Sequence, residues 1–319
     1  MSYHYLIFDV NLLFNQAYNA INSKLKGELQ KVDVDELNCV YPQSLVESIL
    51  RINSIIDKYG SKESHCYFLF DNPDTMINIR KLITSGEYKK SREQKGIQKK
   101  LYATLDLLFN IIINYNDKWS ALKGESLEAD DLTKPLIDIL NIDKDSKCLC
   151  VSSDLDWARN ISNNVHWFNW KRIYDAETFR LKFGYDPVGN KVQMDKTIRG
   201  DKSDNIKPAL PNLPTDLLLH IINTYSNIND LIDNCQSDLK LKNWTAKILK
   251  NRKALTDNYD LTDFLEYQKD IKNEMVQGQC NPAFLDIFYS SLNMEKESWF
   301  SDFEKKQNEP QDICGHYLP

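Results

Sequence analysis

The sequence predicts an α/β fold, a mostly parallel sheet flanked by helices, with a helical region following it. Three observations carry this expectation. Short apolar runs of strand length alternate with longer stretches of helical periodicity, the pattern of strand–helix–strand units. The short runs are apolar at consecutive positions rather than at every second one, as in strands buried on both faces. Strand signals stop near residue 205, beyond which only helical spacing is readable.

Taken in order, Tyr5-Leu6-Ile7-Phe8-Asp9 reads as a strand ending in an acid, and 11–21 then has helical spacing. Pro42 opens an amphipathic helix with Leu45, Ile49, Ile52 and Ile56 at helical intervals. Cys66 to Phe70 is a second strand, again followed by an acid, Asp71. Leu127 to Leu140 reads as a helix interrupted by Pro135. Cys148 to Val151 is a third strand running into Ser152-Ser153-Asp154-Leu155-Asp156, with Cys148 and Cys150 as core thiols. Val165 to Trp170 forms a further short strand whose Trp167 and Trp170 are packing residues. Leu217 to Tyr225 and Trp244 to Leu255 are helical, and the polar stretch from Phe303 to Pro319 reads as loosely ordered.

Composition places the chain among folded globular proteins. Of its 319 residues 42% are hydrophobic and 27% charged, which excludes collagen-like, low-complexity and wholly disordered chains. No apolar run approaches the roughly 18 residues of a membrane-spanning helix. The first nine residues carry no secretory leader, and seven Cys without framework spacing fit reduced thiols. A net charge of −6, taken alone, speaks against a general polyanion binder.

The chemistry lies in the carboxylates. In open parallel sheets ligands bind beyond the carboxyl ends of the strands, and three of the expected strands put acids there: Asp9, Asp71, and the pair Asp154 and Asp156. Glu128-Ala129-Asp130-Asp131 and Gly200-Asp201-Lys202-Ser203-Asp204-Asn205 add further acids. Gathered carboxylates raise each other's pKa, a penalty that divalent cations remove. Oxygen-only donors suit Mg²⁺ or Mn²⁺, and two such ions about 4 Å apart can activate water and steady the leaving oxygen of a phosphodiester. Zinc is disfavoured by dispersed His residues and the absence of a Cys pair at zinc spacing. Taken one at a time, each acid is better explained as a helix cap or a solvated loop charge; the set, placed repeatedly after strands, favours metal binding.

These residues, in this order, resemble the 5′-nuclease family: flap endonucleases, the 5′-exonuclease domain of bacterial DNA polymerase I, and bacteriophage RNase H. The matching segments are Leu6-Ile7-Phe8-Asp9-Val10-Asn11, Phe68-Leu69-Phe70-Asp71, Tyr88-Lys89-Lys90-Ser91-Arg92, Leu127-Glu128-Ala129-Asp130-Asp131, Val151-Ser152-Ser153-Asp154-Leu155-Asp156 and Gly200-Asp201-Lys202-Ser203-Asp204-Asn205-Ile206. The resemblance implies a PIN-like nuclease domain over residues 1–200 with an arch at about 76–100, a helical duplex-binding region over 201–302, and a tail over 303–319. It also implies a monomeric, Mg²⁺-dependent enzyme that cuts 5′ ends or flaps in DNA and RNA–DNA hybrids. Its setting would be phage-type replication in the cytoplasm, the host cell's if the chain is phage-encoded. Asp9, Asp71, Glu128, Asp130 and Asp131 would serve a first metal region, and Asp154, Asp156, Asp201 and Asp204 a second. A single-strand binding protein or clamp is the expected kind of replication partner, although the tail holds no evident clamp-binding peptide.

Two departures stand out. Val10 takes a position where the family usually has Gly. The family's Gly-containing hairpin after the G-D-x-S-D-N segment, which holds K⁺ and a duplex phosphate, is replaced by Ile206-Lys207-Pro208-Ala209-Leu210-Pro211-Asn212-Leu213-Pro214-Thr215. Without Gly, close backbone approach to a phosphate is harder, and the K⁺ site does not carry over on its residues. Asn258-Tyr259-Asp260-Leu261-Thr262-Asp263-Phe264 resembles the C-terminal segment of phage members.

Basic residues are segregated into two runs. Arg80, Lys81, Lys89, Lys90, Arg92, Lys95, Lys99 and Lys100 stand against only Glu87 and Glu93. In the family this stretch forms the arch, where Lys89 and Arg92 would meet the scissile phosphate and Tyr88 would stack on a terminal base. Lys240, Lys242, Lys247, Lys250, Arg252 and Lys253, around Trp244, form an acid-free run suited to duplex phosphates. Both runs have the alternative reading of a solvated helix face. The rival functions are a PIN-type ribonuclease on single-stranded RNA and a non-catalytic DNA-junction binder.

Overall fold

The computed structural model describes residues 2–26, 37–71, 98–124, 127–142, 145–265 and 270–291. The N-terminal part alternates strand and helix. Strand β1 (Tyr5–Asp9) leads into helices α1 (Val10–Lys26) and α2 (Leu37–Tyr59), and β2 (His65–Phe70) follows. Next come α3 (Gln98–Tyr115), β3 (Trp119–Lys123), α4 (Ala129–Leu140) and β4 (Cys148–Val151). A 3₁₀ helix over Leu155–Asn160 then precedes β5 (Val165–Phe168), β6 (Ile173–Tyr174), α5 (Ala176–Phe183) and α6 (Lys191–Arg199). The remainder is mainly short helices: α7 (Thr215–Thr224), α8 (Ile228–Asn234), a 3₁₀ turn at Leu239–Leu241, α9 (Thr245–Lys250), α10 (Arg252–Leu261), α11 (Ile271–Glu274) and α12 (Pro282–Ser291). Strand β7 (Val276–Gln277) interrupts the series.

The sheet has the order β6-β5-β4-β1-β2-β3-β7. Strands β1 to β5 pair in parallel, while β6 and β7 close the two edges antiparallel. From β1 the chain builds outward through β2 and β3, then returns to add β4 and β5 on the other side. The carboxyl end of β1 is therefore the switch point at which the crossovers diverge, and a crevice is expected there.

Both faces of the sheet are buried, and the period-2 alternation of side chains sorts them. Leu6, Phe8, Phe68, Leu149 and Val151 pack against α1, α2 and α3, with Phe8 and Phe68 stacked at 5.0 Å. Ile7, Leu69, Cys148 and Cys150 face the opposite core, which continues into α4, α6 and the C-terminal helices. Cys148 and Cys150 are buried free thiols, as their alternation suggested. Trp167 is buried and stacked on Tyr174. The expected strand at 165–170 ends at Phe168, because Trp170 takes a positive φ of 68° at a turn.

Several boundaries differ from the sequence reading. Helix α2 starts at Leu37, so Pro42 lies inside it rather than opening it. Pro135 sits within α4 without interrupting it. Helix 244–255 is two helices, α9 and α10, joined at Asn251. Strand pairing also resumes beyond residue 205: β7 adds to the outer edge of β3, reinforced by Gly278 N–H donating to the Trp119 carbonyl at 2.6 Å. Edge pairing, invisible in two residues of sequence, creates this strand.

Candidate metal centre

All five parallel strands end at one edge, and the acids follow them. Asp9 closes β1 and caps α1, its carboxylate accepting the Leu12 N–H at 3.0 Å and the Ser152 hydroxyl at 2.8 Å. Asp71 follows β2 and accepts the Ala129 N–H at 2.8 Å, which ties the β2 end to the first turn of α4. Its own N–H donates to the Asn11 side chain at 3.2 Å. Beyond β3, buried Glu128 is the residue that caps α4, and Asp130 and Asp131 fall in its first turn, where helix-dipole charge favours acids. The Trp157 indole N–H donates to Asp130 at 2.7 Å. Beyond β4, Asp154 caps the 3₁₀ helix by accepting the Asp156 N–H at 3.0 Å.

Ligand oxygens of Asp130, Asp154 and Asp156 lie within 4.8 Å of one another. Asp156 Oδ1 is buried with no hydrogen-bond partner, an arrangement that costs free energy unless a cation or water completes it. An all-carboxylate donor set suits a hard divalent ion, so the residues present fit Mg²⁺ or Mn²⁺.

The electrostatics extend this trio to a larger cluster. Burial, then the Asp71 charge, raises Asp9 to about 7 against the favourable Leu12 and Ser152 hydrogen bonds. Burial also pushes Asp130 well up, followed by the charges of Asp154, Asp9, Asp156 and Glu128. Asp156 rises to about 6, chiefly through burial, with Lys196 opposing the shift. The fold thus holds carboxyls that resist full ionisation near neutral pH.

Lys196, on α6, was not anticipated. Its ammonium lies 2.6 Å from Asp156, 2.8 Å from Asp201 and 3.5 Å from Asp154, and the residue is only 7% exposed. Burial alone would lower its pKa, but the three carboxylates together hold it well above the usual lysine value. Asp201 is correspondingly held at about 2, burial being outweighed by Lys196 and by hydrogen bonds from Ser203. In a Lys-rich chain the residue carries no local signal; only the tertiary fold brings α6 to the acids.

The remaining expected acids are distributed around this centre. Asp131 is 1% exposed and accepts the Glu128 N–H at 3.1 Å and the Leu265 N–H at 2.7 Å, which aims both oxygens at backbone donors. Asp204 is buried in a turn closed by the Asp201–Ile206 bridge. Neither belongs to the 4.8 Å trio. Left-handed backbone falls on Asn205 within this turn and on Asn212 in the Gly-free loop after it, both at φ 62°, and the loop buries its own Ala209 and Leu210. Val10 is fully buried at the start of α1.

Of the expected nucleic-acid contacts, the basic residues Arg80, Lys81, Lys89, Lys90 and Arg92 and the aromatic Tyr88 lie outside the described residues. Lys240, Lys242, Lys250, Arg252 and Lys253 are exposed, Lys253 pairing with Asp257 at 2.8 Å. Lys247 is half-buried, 4.1 Å from the Trp244 ring centre, and donates to the Pro211 carbonyl at 2.9 Å. Among the described residues no helix is long and apolar enough to cross a membrane.

Residues 4–184 match the family model described as 5′-3′ exonuclease, N-terminal resolvase-like domain. A 5′-3′ exonuclease of Buchnera aphidicola subsp. Acyrthosiphon pisum (strain APS) is 29% identical over 213 residues, 63% of this chain and 71% of that protein. Among solved structures, the 5′-exonuclease of phage T5 with bound zinc matches with TM-score 0.57 and 20% identity, over 91% of this chain and 97% of that one. The bacteriophage T5 flap endonuclease in a pseudo-enzyme–product complex with DNA and metal ions matches with TM-score 0.58 and 17% identity, over 91% and 97%. At these identities the likeness of the structures is one of fold.

Proposed function

The chain belongs to the 5′-3′ exonuclease family and is a nuclease, and from that premise we propose a Mg²⁺-dependent, structure-selective 5′-nuclease that removes flaps or RNA primers in phage-type DNA replication. The observation that carries the metal dependence is the Asp130–Asp154–Asp156 trio with its unpartnered Asp156 oxygen. Asp9, Asp71, Glu128 and Asp130 would hold one ion region, and Asp154, Asp156, Asp201 and Asp204 the other, with Asp130 close enough to Asp154 and Asp156 to be shared between the two. When bound, Mg²⁺, or Mn²⁺ in its place, supplies Lewis acidity to the phosphoryl oxygens and lowers the pKa of water.

The chain's own residues do the rest. Asp131, engaged with the Glu128 and Leu265 amides, fixes the start of α4 and so the placement of Glu128 and Asp130. Ser152 and the Leu12 N–H orient the Asp9 carboxylate toward the crevice at the β1 switch point. Lys196 partly neutralises the Asp154, Asp156 and Asp201 group, which lets these acids stand close together before a phosphate arrives. Lys89 and Arg92 are proposed to neutralise charge developing on the scissile phosphate. Exposed Lys240, Lys242, Lys250, Arg252 and Lys253 are proposed to contact duplex phosphates, with Lys247 partly committed to Pro211. The leaving group is the 3′-oxygen, which leaves a 5′-phosphate on the product.

Cleavage of 5′-flap DNA, an RNA–DNA hybrid and single-stranded RNA, compared side by side in Mg²⁺, tests the reading. The expected result is 5′-phosphate products from the flap and the hybrid, abolished by the Asp154→Asn/Asp156→Asn double change with binding retained. Cleavage confined to single-stranded RNA would transfer the protein to the ribonuclease reading. Tight flap binding without cleavage would make it a junction binder.

A further inference from the structure

Asp154 and Asp156 sit at the start of a six-residue 3₁₀ helix, a short element with poor internal hydrogen bonds. What it packs against must therefore fix the two carboxylates. Trp157 and Ala158 bury it in the core, and a polar contact is added by Arg159, near the other end of the same helix, with a side chain only 10% exposed. Its guanidinium donates to the Thr262 carbonyl at 3.2 Å and to Asp263 at 2.9 Å, reaches Gln193 at 3.5 Å, and lies 3.9 Å from the Phe264 ring centre. A planar fork stacked on an aromatic ring holds direction as well as charge, which a lysine ammonium does not.

The segment that Arg159 grips, residues 258–265, also touches the elements that carry Asp131, Lys196 and Asp201. The Leu265 N–H donates to Asp131 beside Asp130. Thr262 meets Thr197 at 3.2 Å, and Gln193 donates to the Tyr259 carbonyl at 2.8 Å, both on the helix that carries Lys196. Asn258 donates to the Lys207 carbonyl at 2.8 Å, just past the turn that carries Asp201 and Asp204. One strap thus bridges the elements holding Asp130, the Asp154–Asp156 pair, Lys196 and Asp201. It begins in α10, whose first turn displays Arg252 and Lys253.

We propose that Arg159 is a positioning residue for the metal centre, acting with Asp263 and the 258–265 strap to hold the Asp154–Asp156 turn in ligating geometry. The inference rests on the metal-dependent reading above and assigns to the C-terminal segment the task of aligning acids that it does not itself supply. A purely structural pin would affect stability alone; a positioning residue must affect ion affinity.

The test titrates Mn²⁺ alone, by calorimetry and by electron paramagnetic resonance of the free ion, into the wild-type protein and into Arg159→Met, Arg159→Lys and Asp263→Asn. Thermal midpoints and flap-cleavage kcat and KM are measured in parallel. Losing a residue that orients ligands typically weakens metal affinity about 10-fold or more, and that is the result expected for Arg159→Met. Arg159→Lys should recover part of it, and the half-exposed Asp263→Asn should show a smaller loss at an unchanged thermal midpoint. The kinetic loss should fall on kcat, with KM for DNA changed by less than about twofold. If Arg159→Met does not fold, the two milder variants carry the test. Wild-type Mn²⁺ affinity in both would overturn the proposal and leave the metal centre standing. No Mn²⁺ uptake by the wild-type protein would overturn the metal reading, and the proposal with it.

Discussion

Lys196 lets three carboxylates occupy one corner of the fold. Its ammonium touches Asp154, Asp156 and Asp201 at once, and little solvent reaches it to screen the contacts. Removing one partner from such a buried network leaves uncompensated charge and costs about 3–5 kcal/mol. Lys196→Met should therefore destabilise the protein by that order in urea denaturation without divalent ions, and millimolar Mg²⁺ should recover part of the loss. Wild-type stability of the variant would mean that the three acids do not depend on Lys196. The same residue shows where sequence reading reaches its limit. Asp9 and Asp71 were legible because a strand followed by an acid is a local pattern. Lys196 was not, because its meaning comes from helix packing across 40 residues of chain to Asp156.

The elements carry the site through their ends. Gly200 separates α6 from the turn that holds Asp201 and Asp204, at φ 75°, and an added Cβ would meet the Ile206 carbonyl oxygen and the Pro208 nitrogen at 2.5 Å. Backbone atoms cannot step aside as a flexible side chain can. Gly200→Ala should cost about 2 kcal/mol or more and displace the turn, lowering cleavage beyond what the stability loss explains. An unchanged thermal midpoint and rate would show that the turn is not under this constraint. At this scale β1, β2 and β4 are legible from consecutive apolar residues and β5 from Val165, Trp167 and Phe168, whereas β3 is not. Trp119-Ser120-Ala121-Leu122-Lys123 mixes polar and apolar positions, yet it is buried because cores cover both faces of the sheet, Trp119 and Ala121 packing into one and Leu122 into the other. The strands β6 and β7 are two residues each, too short for any periodicity. Pro135 predicts a break, whereas the amphipathic face of α4, with Leu132 and Leu136 buried, carries the helix through it.

At the scale of the molecule, the parallel sheet concentrates negative charge at one edge, and stability must respond to pH. A carboxyl whose pKa is raised in the fold keeps its proton there where the unfolded chain has lost it, so stability falls as pH rises across that interval. For Asp9 the interval runs from the ordinary 3.8 to about 7, and for Asp156 to about 6. Asp201 acts in the opposite sense: held at about 2, it contributes stability above the ordinary carboxylate range that is lost only as pH falls toward 2. Without divalent ions the thermal midpoint should therefore decline between about pH 4 and 7, and the stabilisation given by Mg²⁺ should grow through the same interval, because protons compete for the same oxygens. A midpoint that climbs across this range without ions would contradict the assigned shifts. The net charge of −6, which alone spoke against a polyanion partner, combines acids gathered at the sheet edge with an exposed basic run on the C-terminal helices.

Anomalous diffraction from crystals soaked in Mn²⁺ decides whether these acids form a divalent-ion centre. An anomalous peak is expected within about 2.5 Å of oxygens from Asp130, Asp154 and Asp156. Ordered carboxylates with no peak among them at saturating Mn²⁺ would contradict it.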